Sequence, residues 1–152
     1  MSDSKILFQD GRKFVTETTE KFDVIIVDGS DPVGPSAVLF SKDFYQNIYR
    51  ILNDDGVFVT QSESPFLHTH LTKPIVEALH GIFPIVKLYW GMVPEYPGSI
   101  WSWTLASKKY NPTEDIQSEA IKKDNLDLKV YNKEYHRASF MLPTYMKRAH
   151  TL

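Results

Sequence analysis

Three aspartates stand where a strand-like run gives way to a loop. Asp10 follows Ile6-Leu7-Phe8, Asp28 follows Phe22-Asp23-Val24-Ile25-Ile26-Val27, and Asp31 lies further along the same loop. In open α/β sheets, ligands bind beyond the carboxyl ends of the strands, so these acids face the edge where chemistry is done. Asp-Gly and Asp-Pro pairs are also good turn chemistry, and that reading suffices for any one of the acids taken alone. Three acids beside an aromatic excess of 13%, which includes Trp90, Trp101 and Trp103, suit a polycationic ligand. Each carboxylate holds an ammonium by a charge-assisted hydrogen bond, while the rings pack its methylenes and add cation–π attraction. His68 and His70 have a spacing that suggests a metal, but with no acid or third ligand beside them they read as surface residues. No metal is assigned.

The elements that must position these groups alternate between strand and helix. Ile6 to Phe8 reads as a short strand ending in a tight turn at Asp10-Gly11. Phe22 to Val27 is apolar on both faces, as in a strand covered by helices on both sides. The loop Asp28-Gly29-Ser30-Asp31-Pro32-Val33-Gly34-Pro35 is kept irregular by its prolines and glycines. Ser41 caps a helix through about Leu52, with Phe44, Tyr45, Ile48, Ile51 and Leu52 on one face. Asn53-Asp54-Asp55-Gly56 stops it, and Val57 to Gln61 is the next strand. A second helix runs to about Phe83 with Leu71, Ile75, Leu79 and Ile82 as its stripe; Pro74 belongs in its first turn, with Thr72 as the cap. Ile85–Met92 and Ile100–Ser107, joined by a Pro-Glu-Tyr-Pro-Gly turn, must pair antiparallel. Lys108 to Asn125 is polar linker or surface helix, and Pro143 to His150 a last helix.

This order gives an α/β fold: the back half of a Rossmann-like (class I methyltransferase-type) sheet, parallel strands followed by an antiparallel hairpin. Residues 1–110 form a partial Rossmann-like catalytic domain. Residues 111–152 form a polar linker and a helical tail packing on the same domain. The 152 residues suffice for one domain. Lys+Arg 17 against Asp+Glu 19 gives a net charge of −2, which argues against nucleic acid as a partner. The absence of Cys removes thiolate catalysis and disulfide frameworks. No apolar run is long enough for a membrane span, and the first residues carry no secretory pattern, so a cytoplasmic protein is expected. A nucleotide-binding α/β domain normally opens on a strand, a Gly-rich turn and a helix N-terminus. This chain has no G-x-G; its 7 glycines are isolated.

The string from Phe22 to Pro35, with Leu39-Phe40 and Phe44-Tyr45 after it, strongly resembles the gatekeeping segment of spermidine synthases, the polyamine aminopropyltransferases. Asp10-Gly11 with Phe14, Gln61-Ser62-Glu63-Ser64, Pro94 to Pro97, Tyr131-Asn132, His136-Arg137-Ala138 and Phe140 to Pro143 extend the resemblance in order almost to the end. It implies transfer of an aminopropyl group from decarboxylated S-adenosylmethionine, a co-substrate rather than a tightly bound cofactor, to putrescine or a related diamine. The products are spermidine and methylthioadenosine. An alkyl diamine is almost wholly protonated at neutral pH, like Lys with its pKa of about 10.4, and needs a base before it can attack. The resemblance places that base at Asp28. It places Tyr96 and Gln61 against the attacking amine, directly or through water, and Asp31 on an ammonium. Trp101 then lines the diamine's methylenes. Asp10 accepts from the adenine amino group with Gly11 beside it, and Pro35 and Leu39 pack on adenine and gate. The motif His136 is read as structural, with Arg137 anchoring the tail.

The chain also departs from the family. Gly29 stands where Ser or Thr is usual, and Pro97-Gly98-Ser99 where Pro-Ser-Gly is more common. The N-terminal β domain, the first strands with their Gly-rich turn, the ribose acid and further diamine ligands do not occur in it. Without those strands, Val24 to Val27 should be an exposed apolar edge. The expectation is a truncated product or half of a split enzyme, weak or incompetent alone, acting as a homodimer or with a complementing N-terminal half. The alternative is a non-catalytic regulatory or assembly partner of a full-length aminopropyltransferase. A methyltransferase on the same sheet is disfavoured, because methyl transfer needs no paired ammonium sites.

Overall fold

The computed structural model describes residues 4–117, 119, 123 and 127–150. The first helix, α1 (Gly11–Glu17), was not expected. Asp10 does not close a turn but caps this helix, its carboxylate accepting from the Lys13 N–H at 2.9 Å. The strand expected at Ile6–Phe8 does not form. Among the described residues the segment pairs with no strand, and Ile6 and Phe8 are 80% and 100% exposed. A strand is stable only beside another, and none lies next to it among the described residues.

β1 (Phe22–Val27) pairs parallel with β2 (Leu52–Gln61). β2 pairs antiparallel with β4 (Ile100–Ser107), which forms the expected hairpin with β3 (Ile85–Met92). The sheet order is β1-β2-β4-β3, so β1 is an edge among the described residues. Its Val24 and Ile26 are 57% and 70% exposed.

A 3-10 helix (Gly34–Phe40) follows the Asp28 loop, and Ser41 caps α2 (Lys42–Ile51) by accepting from Phe44 N–H at 3.2 Å. Phe44, Tyr45, Ile48 and Ile51 face the core as their spacing requires. The helix hands over directly to β2 at Leu52. Asn53 to Gly56, expected as a stop, instead form an irregular start to the strand, where register shifts between Phe22 and Val24. Gly56 is needed there: a Cβ would lie 3.0 Å from Leu52 Cβ and 3.1 Å from the Asn53 carbonyl oxygen, neither of which can swing aside. Arg50, in the last turn of α2, donates to the carbonyls of Val15, Thr16 and Thr18, so one guanidinium satisfies the end of α1 and fixes it to α2. Phe58 is fully buried between Tyr45 and Phe83, at centroid distances of 5.8 and 6.3 Å. Burial of a ring like this contributes about 1.5–3 kcal/mol.

α3 runs from Thr69 to His80 and starts earlier than its Thr72 cap predicted. Pro74 therefore sits inside the helix, which forgoes the bond that residue would donate to His70. Thr72 is fully buried, and its hydroxyl donates to the Ser62 carbonyl at 2.8 Å, tying α3 to the end of β2. This contact recovers part of that cost. Helices Lys133–Ser139 and Thr144–His150 complete the described chain. His136 Nε2 lies 2.7 Å from the Pro112 carbonyl, and Trp90 Nε1 donates to Met141 at 3.2 Å. Those contacts hold the tail; Arg137, expected as its anchor, is exposed. Part of the expected linker, residues 118, 120–122 and 124–126, lies outside the described residues. No described helix is long and apolar enough to cross a membrane.

Candidate active site

The parallel pair β1–β2 ends on one side of the sheet, and the β3–β4 turn folds over the same end. Between them lies a cleft of about 340 Å³ lined by Asp28, Asp31, Gln61, His68, Tyr96 and Trp101, among others. Asp28 and Asp31 are exposed on the loop leaving β1. Prolines on either side of Tyr96 and a left-handed pair, Gly98 at φ +80° and Ser99 at φ +55°, carry the turn across the opening. Gly98 is placed where the left-handed backbone is free of steric cost, which Ser99 must bear. Tyr96 meets Trp101 edge to face, with ring centroids 4.6 Å apart.

The floor is a connected polar chain. Trp101 Nε1 donates to Gln61 Oε1 at 3.2 Å, and the Glu63 N–H donates to the same oxygen at 2.9 Å. Gln61 Nε2 donates to the Gly29 carbonyl and to Glu63 Oε1, each at 3.3 Å. Glu63 Oε2 lies 3.1 Å from His68 Nδ1. Gln61 thereby uses both lone pairs and both N–H donors on protein partners. Glu63 is fully buried. Burial pushes its carboxyl above the usual carboxylate range; the Gln61 hydrogen bond pulls it down, the Asp31 charge raises it, and His68 lowers it again. Asp31 and Glu63 therefore feel one another, and the cleft is a negative site suited to a cation.

A second, apolar cleft of about 450 Å³ flanks β1 on its open side, lined by Gly11, Phe14, Val24, Ile26, Asp28 and Leu39 among others. Leu39 reaches across it: its methyls lie 4.0 and 3.5 Å from where a Cβ would stand on Gly11 and Gly29. Asp28 lines both clefts. Asp10 lies in a shallow groove at the start of α1, and Pro35, at the start of the 3-10 helix, lines neither cleft. The structure thus brings Asp28, Asp31, Gln61, Tyr96 and Trp101 together, and Gly11 and Leu39 next door.

Sequence reasoning gave Glu63 no role and read His68 as an isolated surface histidine. The missing acid is Glu63, whose backbone is left-handed, at φ +69°, and whose carboxylate lies 3.1 Å from His68 Nδ1. A signal was available in the i, i+5 acid–His spacing, but that spacing alone does not fix a contact. No group of His, Cys, Asp and Glu able to hold a metal occurs among the described residues.

The sequence profile of the spermine/spermidine synthase domain matches residues 2–119. The polyamine aminopropyltransferase of Caldicellulosiruptor saccharolyticus is 46% identical over 145 residues, covering 95% of this chain and 51% of that protein. That of Moorella thermoacetica is 44% identical over 143 residues, covering 94% and 50%. Among solved structures, a spermidine synthase in complex with the transition-state analogue AdoDATO superposes with a TM-score of 0.91 at 38% identity. Spermidine synthase from Thermotoga maritima superposes at 0.88 and 39%. Each covers 97% of this chain and 50% of the other. The chain spans about half the length of the curated relatives it matches.

Proposed function

The chain belongs to the spermine/spermidine synthase domain family, and from that premise we propose that its acidic cleft binds an alkyl diamine such as putrescine for aminopropyl transfer. The observation that carries the reading is that Asp28 lines both clefts. A base there stands between the acceptor amine on one side and a donor on the other. Asp31 grips one ammonium, Trp101 packs the methylenes, and Tyr96, edge to face with Trp101, stands against the attacking amine. Asp28 takes a proton from the other ammonium, and the freed lone pair attacks the aminopropyl carbon bonded to the sulfonium sulfur of decarboxylated S-adenosylmethionine. The carbon–sulfur bond breaks with its electron pair left on sulfur, giving methylthioadenosine and spermidine, and Asp28 returns the proton to solvent. Gly11 and Leu39 support a donor site in the apolar cleft; Asp10, in its own groove beside Gly11, and Pro35, outside both clefts, would reach the adenine only from its margin.

The open flank of β1 supports a second reading, in which this chain is an assembly partner. Val24 and Ile26, exposed on an edge unpaired among the described residues, invite another strand. We place there a complementing segment of the same family fold, in this polypeptide or another, which would also close the donor cleft. One assay separates the readings. The chain is incubated with decarboxylated S-adenosylmethionine and putrescine, alone and with a polypeptide carrying the family's first strands, and methylthioadenosine is measured. Turnover that appears or rises on mixing, and requires Asp28, supports catalysis here. Turnover that survives loss of Asp28 assigns the chain to assembly alone.

A further inference from the structure

Glu63 is an unusual residue to bury. It carries a charge-bearing side chain with no exposure, on a left-handed backbone that a non-glycine residue adopts at a cost. The surroundings fix that conformation: its carbonyl accepts from the Ser102 N–H at 3.0 Å and the Ser102 hydroxyl at 2.7 Å. The twist aims one carboxylate oxygen at Gln61 Nε2 and the other at His68 Nδ1. Gln61 in turn has its second N–H on the carbonyl of Gly29, the residue directly after Asp28 on the loop to Asp31. The loop bearing both exposed acids thus has a side-chain tether from the floor of the cleft, and the tether ends on a half-exposed histidine.

We propose that Glu63 and His68 are positioning residues of the cleft: His68 orients the buried Glu63 carboxylate, which locks the Gln61 amide onto Gly29 and so sets the Asp28–Asp31 loop. This rests on the diamine reading for its purpose, though its structural part is independent of it. An amide whose four hydrogen-bonding positions are all taken is a frame. Releasing one end of a connected polar network loosens the remainder, because each bond restricts the rotamers of the next.

The test uses the whole chain and three forms: wild type, His68→Ala, and His68→Asn, whose side-chain amide N–H reaches from the same side as Nδ1. Hydrogen exchange of the Gln61 side-chain amide and the resonances of the Gly29 N–H and Trp101 indole N–H are followed by NMR, then putrescine is titrated. In His68→Ala, Gln61 exchange rises and the Gly29 resonance moves, putrescine affinity falls about threefold to tenfold, one hydrogen bond's worth, and His68→Asn restores all three. His68 is partly exposed, so the fold should survive; Glu63→Gln offers a second break in the same tether. Unchanged Gln61 exchange and Gly29 resonance in folded His68→Ala overturn the proposal. A wild-type chain that fails to bind putrescine overturns the diamine reading instead, and the exchange data then decide the positioning role alone.

Discussion

The two clefts that meet at Asp28 are built in opposite ways. On the β2 side, Gln61 and Glu63 are buried, bonded to named partners and backed by the Tyr96–Trp101 pair. On the other side of β1 the walls are Val24, Ile26, Phe14 and Leu39, with few polar groups and with strand edge and side chains open to water. The polar wall of the first cleft is thus held by hydrogen bonds within this chain, whereas the apolar wall of the second is a strand edge left open among the described residues. Polar positioning needs mutually satisfied bonds, which β2, β4 and the Asp28 loop supply once the sheet brings them together. An apolar flank needs area, which one edge strand cannot provide.

The comparison breaks first at the residue the clefts share. Asp28→Asn should lower turnover by about 10²–10⁴-fold in the strand-complemented assembly, with thermal unfolding of the chain unchanged because the residue is exposed. Retained turnover removes the proposed base. A smaller loss is expected on the finished side alone. Trp101→Phe keeps a ring against Tyr96 but deletes the donor to Gln61 Oε1, and should weaken putrescine binding by about 1 kcal/mol in calorimetric titration.

The third effect is a pH slope. Burial raises the Glu63 carboxyl above its ordinary 4.5, so the native chain holds that proton more tightly than the unfolded one. Its contribution to stability is present below 4.5 and is lost as pH rises through the elevated value. Glu63→Gln cannot titrate and should flatten that decline, read as denaturation midpoint against pH; an unaltered slope assigns it to other groups. The smallest change belongs to the unfinished side. Val24→Lys should shift the stability of the chain by about 0.5 kcal/mol or less, yet reduce self-association in sedimentation, because a charged edge resists pairing.

How much could be read in advance varies by residue. Ser41 and the spacing of Phe44, Tyr45, Ile48 and Ile51 gave α2 its start and buried face, since cap and periodicity are local. The hairpin Ile85–Met92 with Ile100–Ser107 was equally legible, its short connection permitting only one pairing. Asp10-Gly11 was not, because an aspartate before a glycine serves a turn or a helix cap equally well; Arg50, bonded from α2 to the end of α1, stabilises the helix. Thr72 was read as a cap because the hydroxyl bond to Ser62 that buries it comes from another element. His68 reads as a surface residue in the sequence because its acid partner, Glu63, is identified only by the 3.1 Å contact in the folded chain.

Sequence alone determined the alternation of strand and helix, the order in which acids leave the sheet, and the family to which the string from Phe22 to Pro35 points. These depend on side-chain period, turn residues and motif order, all of which are written within a few residues of one another. Only the tertiary structure decided that Ile6–Phe8 stays unpaired, that Gln61 spends its whole amide on the protein, and that Asp28 stands at the wall between two clefts. Those outcomes depend on which distant groups come within bonding distance. Residues far apart in the chain meet only when the sheet is assembled.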